Sequence, residues 1–251
     1  MKRVVTALFL VPIAVYTALF APSWLVILVV AVVALLTFRE YAAITGSFAP
    51  LGYAAGVLIL VAPQHETILL MILSALASMC LLLTGDNPAK GLMHVSALAM
   101  GIIYVFGSWK TGLLLHDINP HWLMFGLMIN WAGDTGAYYV GKNFGRHKLA
   151  PMVSPGKTWE GAAASVFTGV VFGMIYLPLA IKGTSLVVAG LLALAANVAG
   201  QVGDLAESAI KRGAGVKDSG NLLPGHGGIL DRLDSSMFAL PMLYTVLTFL
   251  H

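Results

Sequence analysis

The sequence predicts an all-α fold, a polytopic integral membrane helical bundle of about nine transmembrane helices with a cytoplasmic N-terminus. Composition is the first observation behind this. Of 251 residues, 59% are hydrophobic and only 10% charged, against about 25% charged in a soluble globular domain. The second is that charge-free stretches such as Val4–Phe38, Tyr41–His65, Gly161–Ile181 and Gly183–Gly203 recur along the chain, and a membrane helix needs about 20 mostly apolar residues. The third is that the cations sort by side, as set out below. This composition excludes an ordinary soluble enzyme and a disordered regulator. The net charge of +3 is too small and too scattered for a nucleic-acid footprint, so no nucleic-acid partner is expected.

Breakers and charges divide the chain in order. Lys2-Arg3 followed by an apolar stretch has the look of a signal peptide, but the apolar pattern continues through the chain, so Val4–Phe20 reads as a first retained helix. Ala21-Pro22-Ser23 separates it from a helix over 24–43. The Gly46 to Pro50 segment precedes 51–62, which is short for a span. Pro63 precedes 67–84, and Gly85 to Pro88 precedes 91–106. Asp86, Lys90, Lys110, His116, Asp117 and His121 read as interfacial loop residues, with Trp24, Tyr53, Trp109 and Trp122 as interfacial anchors. Asn119-Pro120 opens 121–141, Pro151 to Gly156 precedes 160–181, Lys182-Gly183 precedes 184–212, and Gly213 to Gly228 precedes 231–250. Cys80 is the only cysteine, so neither a disulfide framework nor a cysteine metal cage forms within the chain.

Nine crossings with a cytoplasmic N-terminus place Lys2, Arg3, Arg39, Lys90, Lys142, Arg146, Lys148, Lys157, Lys211, Arg212, Lys217 and Arg232 inside. Only Lys110 and Lys182 fall outside, as the positive-inside rule requires. Sixteen of the 25 charges lie in residues 134–234. Residues 1–120 therefore read as an apolar scaffold, and 121–251 as the helices and cytoplasmic loops that carry the chemistry.

Three clusters stand out there. Asp204, Glu207, Ser208 and Lys211 fall at i, i+3, i+4 and i+7 in an apolar helix, which stacks them on one face. A carboxylate inside a membrane helix is costly and marks a functional site by default. The face runs into a glycine-rich loop with Lys217, Asp218, His226, Gly227 and Gly228, and then into a helix opening with Asp231, Arg232 and Asp234. Glycines let a backbone approach a ligand closely, amides at a helix start favour anions, and carboxylates beside them favour a hard cation such as Mg²⁺. The third cluster holds Asp134 inside an apolar helix, the basic stretch Lys142 to Lys148, and Ser154-Pro155-Gly156-Lys157-Thr158-Trp159-Glu160-Gly161. Ser154 or Thr158 is placed to cap the next helix, with Glu160 in its first turn.

The run from Ser208 to Asp234, with Lys211-Arg212, Lys217-Asp218 and Pro224-Gly225-His226-Gly227-Gly228-Ile229-Leu230-Asp231-Arg232-Leu233-Asp234, resembles the pattern of the phosphatidate cytidylyltransferases, or CDP-diacylglycerol synthases. Gly203-Asp204-Leu205-Ala206-Glu207-Ser208 and Ser154 to Gly161 are similar to further segments of that family. The resemblance covers roughly residues 130–235. It implies a bacterial inner-membrane nucleotidyltransferase, with its site facing the cytoplasm, that condenses CTP with phosphatidic acid into CDP-diacylglycerol and pyrophosphate. It also implies Mg²⁺ or another divalent cation on Asp204 and Asp231, membrane lipids as surroundings, and a homodimer. On that reading Asp204, Lys211, Arg212, Asp231 and Arg232 are the expected catalytic group. Lys211, Arg212, Lys217 and Arg232 are candidates for the lipid phosphate and the leaving pyrophosphate. Ser154, Lys157 and Thr158 are candidates for the nucleotide, and Glu207, Asp218 and Asp234 for metal or for orienting the cations. Asp134, Ser208, His226, Gly227 and Gly228 complete the expected substrate contacts. Two alternatives stay open at this point: a CTP-dependent enzyme for another lipid phosphate, and a cation-coupled transporter using Asp134 and Asp204.

Overall fold

A computed structural model describes residues 2–84, 87–222, 225 and 227–249. Its helices are α1 (Lys2–Leu19), α2 (Ser23–Thr45), α3 (Ala49–Val61), α4 (Gln64–Met79), α5 (Pro88–Gly101), α6 (Ser108–Ile118) and α7 (Pro120–Phe144), then α8 (Trp159–Ala180), α9 (Leu186–Gly213) and α10 (Leu230–Phe249). A 3-10 turn over Cys80–Thr84 extends α4, and a π-helical turn over Ile102–Gly107 joins α5 to α6. The architecture is all-α and of membrane type. Among the described residues, five helical runs are long and apolar enough to cross a membrane: Ser23–Thr45, Gln64–Leu83, Ala89–Ile118, Trp159–Ala180 and Leu186–Gly213.

Two departures from the sequence reading are informative. The helix expected to end at 106 continues through the π turn to Ile118. Lys110, read as an interfacial loop residue, is therefore inside a helix and only 6% exposed. Its ammonium donates to the carbonyl oxygens of Leu60 at 3.1 Å and Ala62 at 2.5 Å. Those carbonyls close α3, whose last turn has no intrahelical donors left, and a cation also suits the negative end of the helix dipole. Trp109 and Trp122 are likewise buried rather than interfacial anchors, whereas Trp24 is exposed. The second departure is a small antiparallel hairpin, β1 (Lys148–Ala150) with β2 (Ser154–Thr158), pairing Lys148 with Thr158 and Ala150 with Ser154. Of the breaker Pro151 to Gly156, residues 151–153 form its turn and Ser154 to Gly156 belong to β2.

The chain forms two compact units. The first comprises residues 1–114 with 214–232, and the second 115–213 with 233–251. The first centres on aromatic packing of Phe38 against Phe106 and Tyr53, at 5.1 and 5.5 Å between ring centroids. Tyr41 beside them donates its hydroxyl to the Ala97 carbonyl at 2.9 Å. In the second unit α7, α8 and α9 pack together. At Gly133 and Gly136 a side chain would collide with Ser165 and Thr168 of α8. Small residues there let the two helices approach closely. Phe125, Phe172 and Tyr176 stack in the same unit.

Candidate active site

The second unit encloses a cavity of about 440 Å³. One face of α7 lines it with Asn130, Asp134, Tyr138 and Gly141, at the three- and four-residue spacing of a helical stripe. Lys142 adjoins them. The hairpin contributes Gly156, Lys157 and Thr158, α8 contributes Ala162 and Ser165, α9 contributes Gln201 and Asp204, and α10 contributes Ser235. Two of the clusters read from sequence thus line one cavity: Asp134, Lys157 and Thr158 from one, Asp204 from the other.

Lys157 and Asp204 meet directly, Nζ to Oδ2 at 2.5 Å, with side chains 26% and 31% exposed. An ion pair this open to solvent adds little to stability, and its two charges remain accessible to a ligand. The backbone around it is tightly fixed. Thr158 caps α8, its Oγ1 accepting from the Gly161 amide at 3.2 Å. Glu160 accepts from the amides of Arg146 and His147 at 3.2 and 3.3 Å and meets His147 Nδ1 at 2.6 Å, which holds the basic turn after α7. Arg212 Nε donates to the Val153 carbonyl at 3.3 Å, tying the end of α9 to the hairpin turn. Ser154 lies in β2 and is not the cap.

Along α9 the charges divide their partners. Asp204 takes Lys157, while Glu207, only 1% exposed, takes Lys211 at 2.7 Å. A carboxylate so buried requires a counter-charge, so the Lys211 ammonium is engaged in neutralising Glu207. Ser208 is half-buried on the same helix. Asp234 of α10 is buried and lies in the electrostatic field of Asp204, Glu207 and Lys211, and its Oδ1 accepts from the Ser235 amide at 2.7 Å.

In the first unit, the loop before α10 is organised on Asp231. Its carboxylate accepts from the Ser219 amide, at 3.0 and 3.2 Å to the two oxygens, and from the Gly228 amide at 2.8 Å. Lys217, Asp218 and Arg232 are exposed, and Gly227 adopts a positive φ of 80°. His226 lies outside the described residues. The sequence reading missed Glu40, which closes this loop from α2. Glu40 is buried, and its Oε2 accepts from the Ser219 hydroxyl at 3.0 Å and the Leu230 amide at 2.9 Å. Gly220 and Gly228 are glycine because the Glu40 carboxylate occupies the space of a side chain. Adjacent to Arg39, Glu40 looks in sequence like half of a charge pair at a helix end. The neutral cavity residues Asn130, Ser165 and Gln201 were missed as well, since isolated amides and hydroxyls carry no spacing signal.

Carboxylate oxygens, offered by Asp231 in the first unit and by Asp204 in the second, are the donor type a hard cation such as Mg²⁺ takes. Among the described residues no group of three His, Cys, Asp or Glu is placed to hold a metal ion.

A sequence model of the cytidylyltransferase family matches residues 1–250. The chain is 37% identical over 207 residues to the phosphatidate cytidylyltransferase of Staphylococcus aureus strain COL, covering 77% of each chain. It is 38% identical over 179 residues to that of Bacillus subtilis strain 168, covering 69% of this chain and 66% of the relative. With that of Staphylococcus saprophyticus it shares 38% identity over 161 residues, 64% of this chain and 59% of the relative. The chain thus spans between 59% and 77% of the length of these relatives.

Proposed function

The chain belongs to the cytidylyltransferase family, and on that premise we propose that it is a phosphatidate cytidylyltransferase. It condenses CTP with phosphatidic acid to give CDP-diacylglycerol and pyrophosphate. The observation that carries this reading is the accessible Lys157–Asp204 pair in a cavity walled by helices, two of which are long and apolar enough to cross a membrane. A cation and a carboxylate at one spot suit a substrate that brings both phosphate and a divalent metal.

An oxygen of the lipid phosphate attacks the α-phosphorus of CTP. A new P–O bond forms, the bond from the α-phosphorus to the α–β bridging oxygen breaks, and pyrophosphate leaves with that oxygen. The nucleophile is already an anion, so the reaction needs no strong general base. Positioning and neutralisation of repelling charges dominate instead. Lys157 supplies a cation to the nucleotide phosphates, and the Thr158 cap and the Glu160 clamp hold the hairpin that carries it. Lys142, Arg212, Lys217 and Arg232 are further anion ligands in this proposal, Lys211 balances Glu207, and Asp134 orients the cations of the cavity. A divalent cation, with Asp204 and Asp231 as its proposed ligands, supplies Lewis-acid neutralisation of phosphate charge when bound. A bacterial inner-membrane location rests on the family resemblance, and the distribution of cations along the chain supports a site facing the cytoplasm. The homodimer rests on the family resemblance.

Purified protein in detergent micelles with phosphatidic acid, labelled CTP and Mg²⁺ tests the reading. Labelled CDP-diacylglycerol that disappears on adding EDTA is the expected result. Absence of any CDP-lipid with Mg²⁺ present overturns it.

A further inference from the structure

The polar lining of the cavity changes character with depth. Lys142, Lys157, Asp134 and Asp204 carry charge, whereas Asn130, Ser165 and Gln201 are neutral. On α7, Asn130 lies twelve residues before Lys142, about 18 Å along the axis at about 1.5 Å per residue. On α8, Ser165 lies seven residues beyond Thr158, and on α9, Gln201 lies three before Asp204, so Asn130, Ser165 and Gln201 form the floor, at the end away from the hairpin.

This floor is built rather than incidental. Asn197, fully buried, hydrogen-bonds Ser165, with Nδ2 to Oγ at 3.3 Å. Gln201 Nε2 donates to Asn197 Oδ1 at 2.8 Å and to the Ala162 carbonyl at 3.3 Å. Both N–H groups of Gln201 are thus committed, which fixes its Oε1 as an acceptor. Asn130 is only 5% exposed, and its Nδ2 is buried with no hydrogen-bond partner. An unmatched buried amide donor is expensive, so its retention points to a ligand.

Resting on the phosphatidate cytidylyltransferase reading above, we propose that this floor recognises the cytosine edge of CTP. Gln201 Oε1 accepts from the exocyclic amino group, and Asn130 Nδ2 donates to a ring acceptor. The chemistry selects a base over the other groups at hand. Phosphates seek the charged end. Acyl chains offer no polar atom, and glycerol esters offer only acceptors, so neither satisfies Gln201 Oε1. Uracil carries a carbonyl at the position of the cytosine amino group. Set against a pinned acceptor, it brings two lone pairs together, and a site built to hydrogen-bond one group strongly rejects the analogue that lacks it.

The test measures KM for CTP, KM for phosphatidic acid, and kcat/KM for CTP against UTP, in wild type, Asn130→Asp and Gln201→Asn. Asn130→Asp replaces the donor with an acceptor and is expected to raise KM for CTP at least about tenfold, the worth of one hydrogen bond. KM for phosphatidic acid should stay unchanged. Gln201→Asn withdraws the acceptor and is expected to lower the CTP-over-UTP ratio by at least about tenfold. If Asn130→Asp does not fold, the ratio in Gln201→Asn decides alone. Wild-type activity with both variants keeping the CTP parameters, or with the change falling on phosphatidic acid, overturns this inference and leaves the underlying reading standing. Wild-type protein that makes no CDP-lipid overturns the underlying reading itself.

Discussion

Replacing Glu40 with leucine should unfasten the loop that carries Asp231. Glu40 accepts two hydrogen bonds, from the Ser219 hydroxyl and the Leu230 amide, at 3.0 and 2.9 Å. Hydrogen bonds to a charged acceptor contribute about 1.5–3 kcal/mol each. Leucine also strands both donors, since Ser219 is 5% exposed and Leu230 is 0% exposed. Part of the loss is offset because a buried carboxylate is no longer desolvated, and Glu40 Oε1 is itself buried without a hydrogen-bond partner. The net loss of loop anchoring is therefore about 2–4 kcal/mol. At 1.4 kcal/mol per decade that raises local opening about 30- to 1,000-fold. Hydrogen exchange at the Ser219 and Leu230 amides reads this directly, and kcat should fall at least about tenfold as Asp231 loses its fixed amide partners. Glu40→Gln keeps an acceptor of the same shape and should restore most of both quantities. Exchange and kcat in Glu40→Leu that match wild type would refute the reasoning.

Two other outcomes follow from the structure. Lys157→Met removes the cation from Asp204 while keeping the length of the side chain. Loss of one preorganised charge at the proposed phosphate site should lower kcat/KM for CTP about 10²–10³-fold, with little change in the unfolding temperature because solvent screens the half-buried pair. Lys110→Met has the opposite profile. It leaves the carbonyls closing α3 without their ammonium donor, so thermal unfolding in detergent should show a loss of about 1–3 kcal/mol, while KM for CTP stays the same.

Much of the membrane architecture is legible because hydropathy and breakers are local signals. The segments over 24–43, 121–141, 160–181 and 184–212 sit within α2, α7, α8 and α9, give or take a few residues, since prolines and glycines at the ends stop helices whatever the tertiary context. The stretch after 106 misled because Lys110 and the flanking polar residues imitate an interface. Only the packing of α3 beside Lys110 shows that the cation caps carbonyls inside the protein. At the site, Asp204, Lys157 and Thr158 are readable because charged or capping residues beside apolar runs are rare and therefore informative. Their pairing is not readable, since 47 residues separate Lys157 from Asp204 and the i+7 neighbour Lys211 looks the better partner. Glu40 and Ser219 are 179 residues apart, beyond any pattern in a single sequence. The neutral floor of Asn130 and Gln201 gains meaning only when α7 and α9 bring those amides to one cavity.

The central claim is that the cavity at Asp204 is where CTP and the lipid phosphate react. The most direct measurement is kcat of folded Asp204→Asn beside wild type, with phosphatidic acid, CTP and saturating Mg²⁺. The substitution keeps the shape of the side chain and removes its charge. A loss of at least about 10³-fold, with an unchanged elution profile and unfolding temperature, is the expected result. Turnover within a fewfold of wild type would contradict the account and move the chemistry away from this cavity.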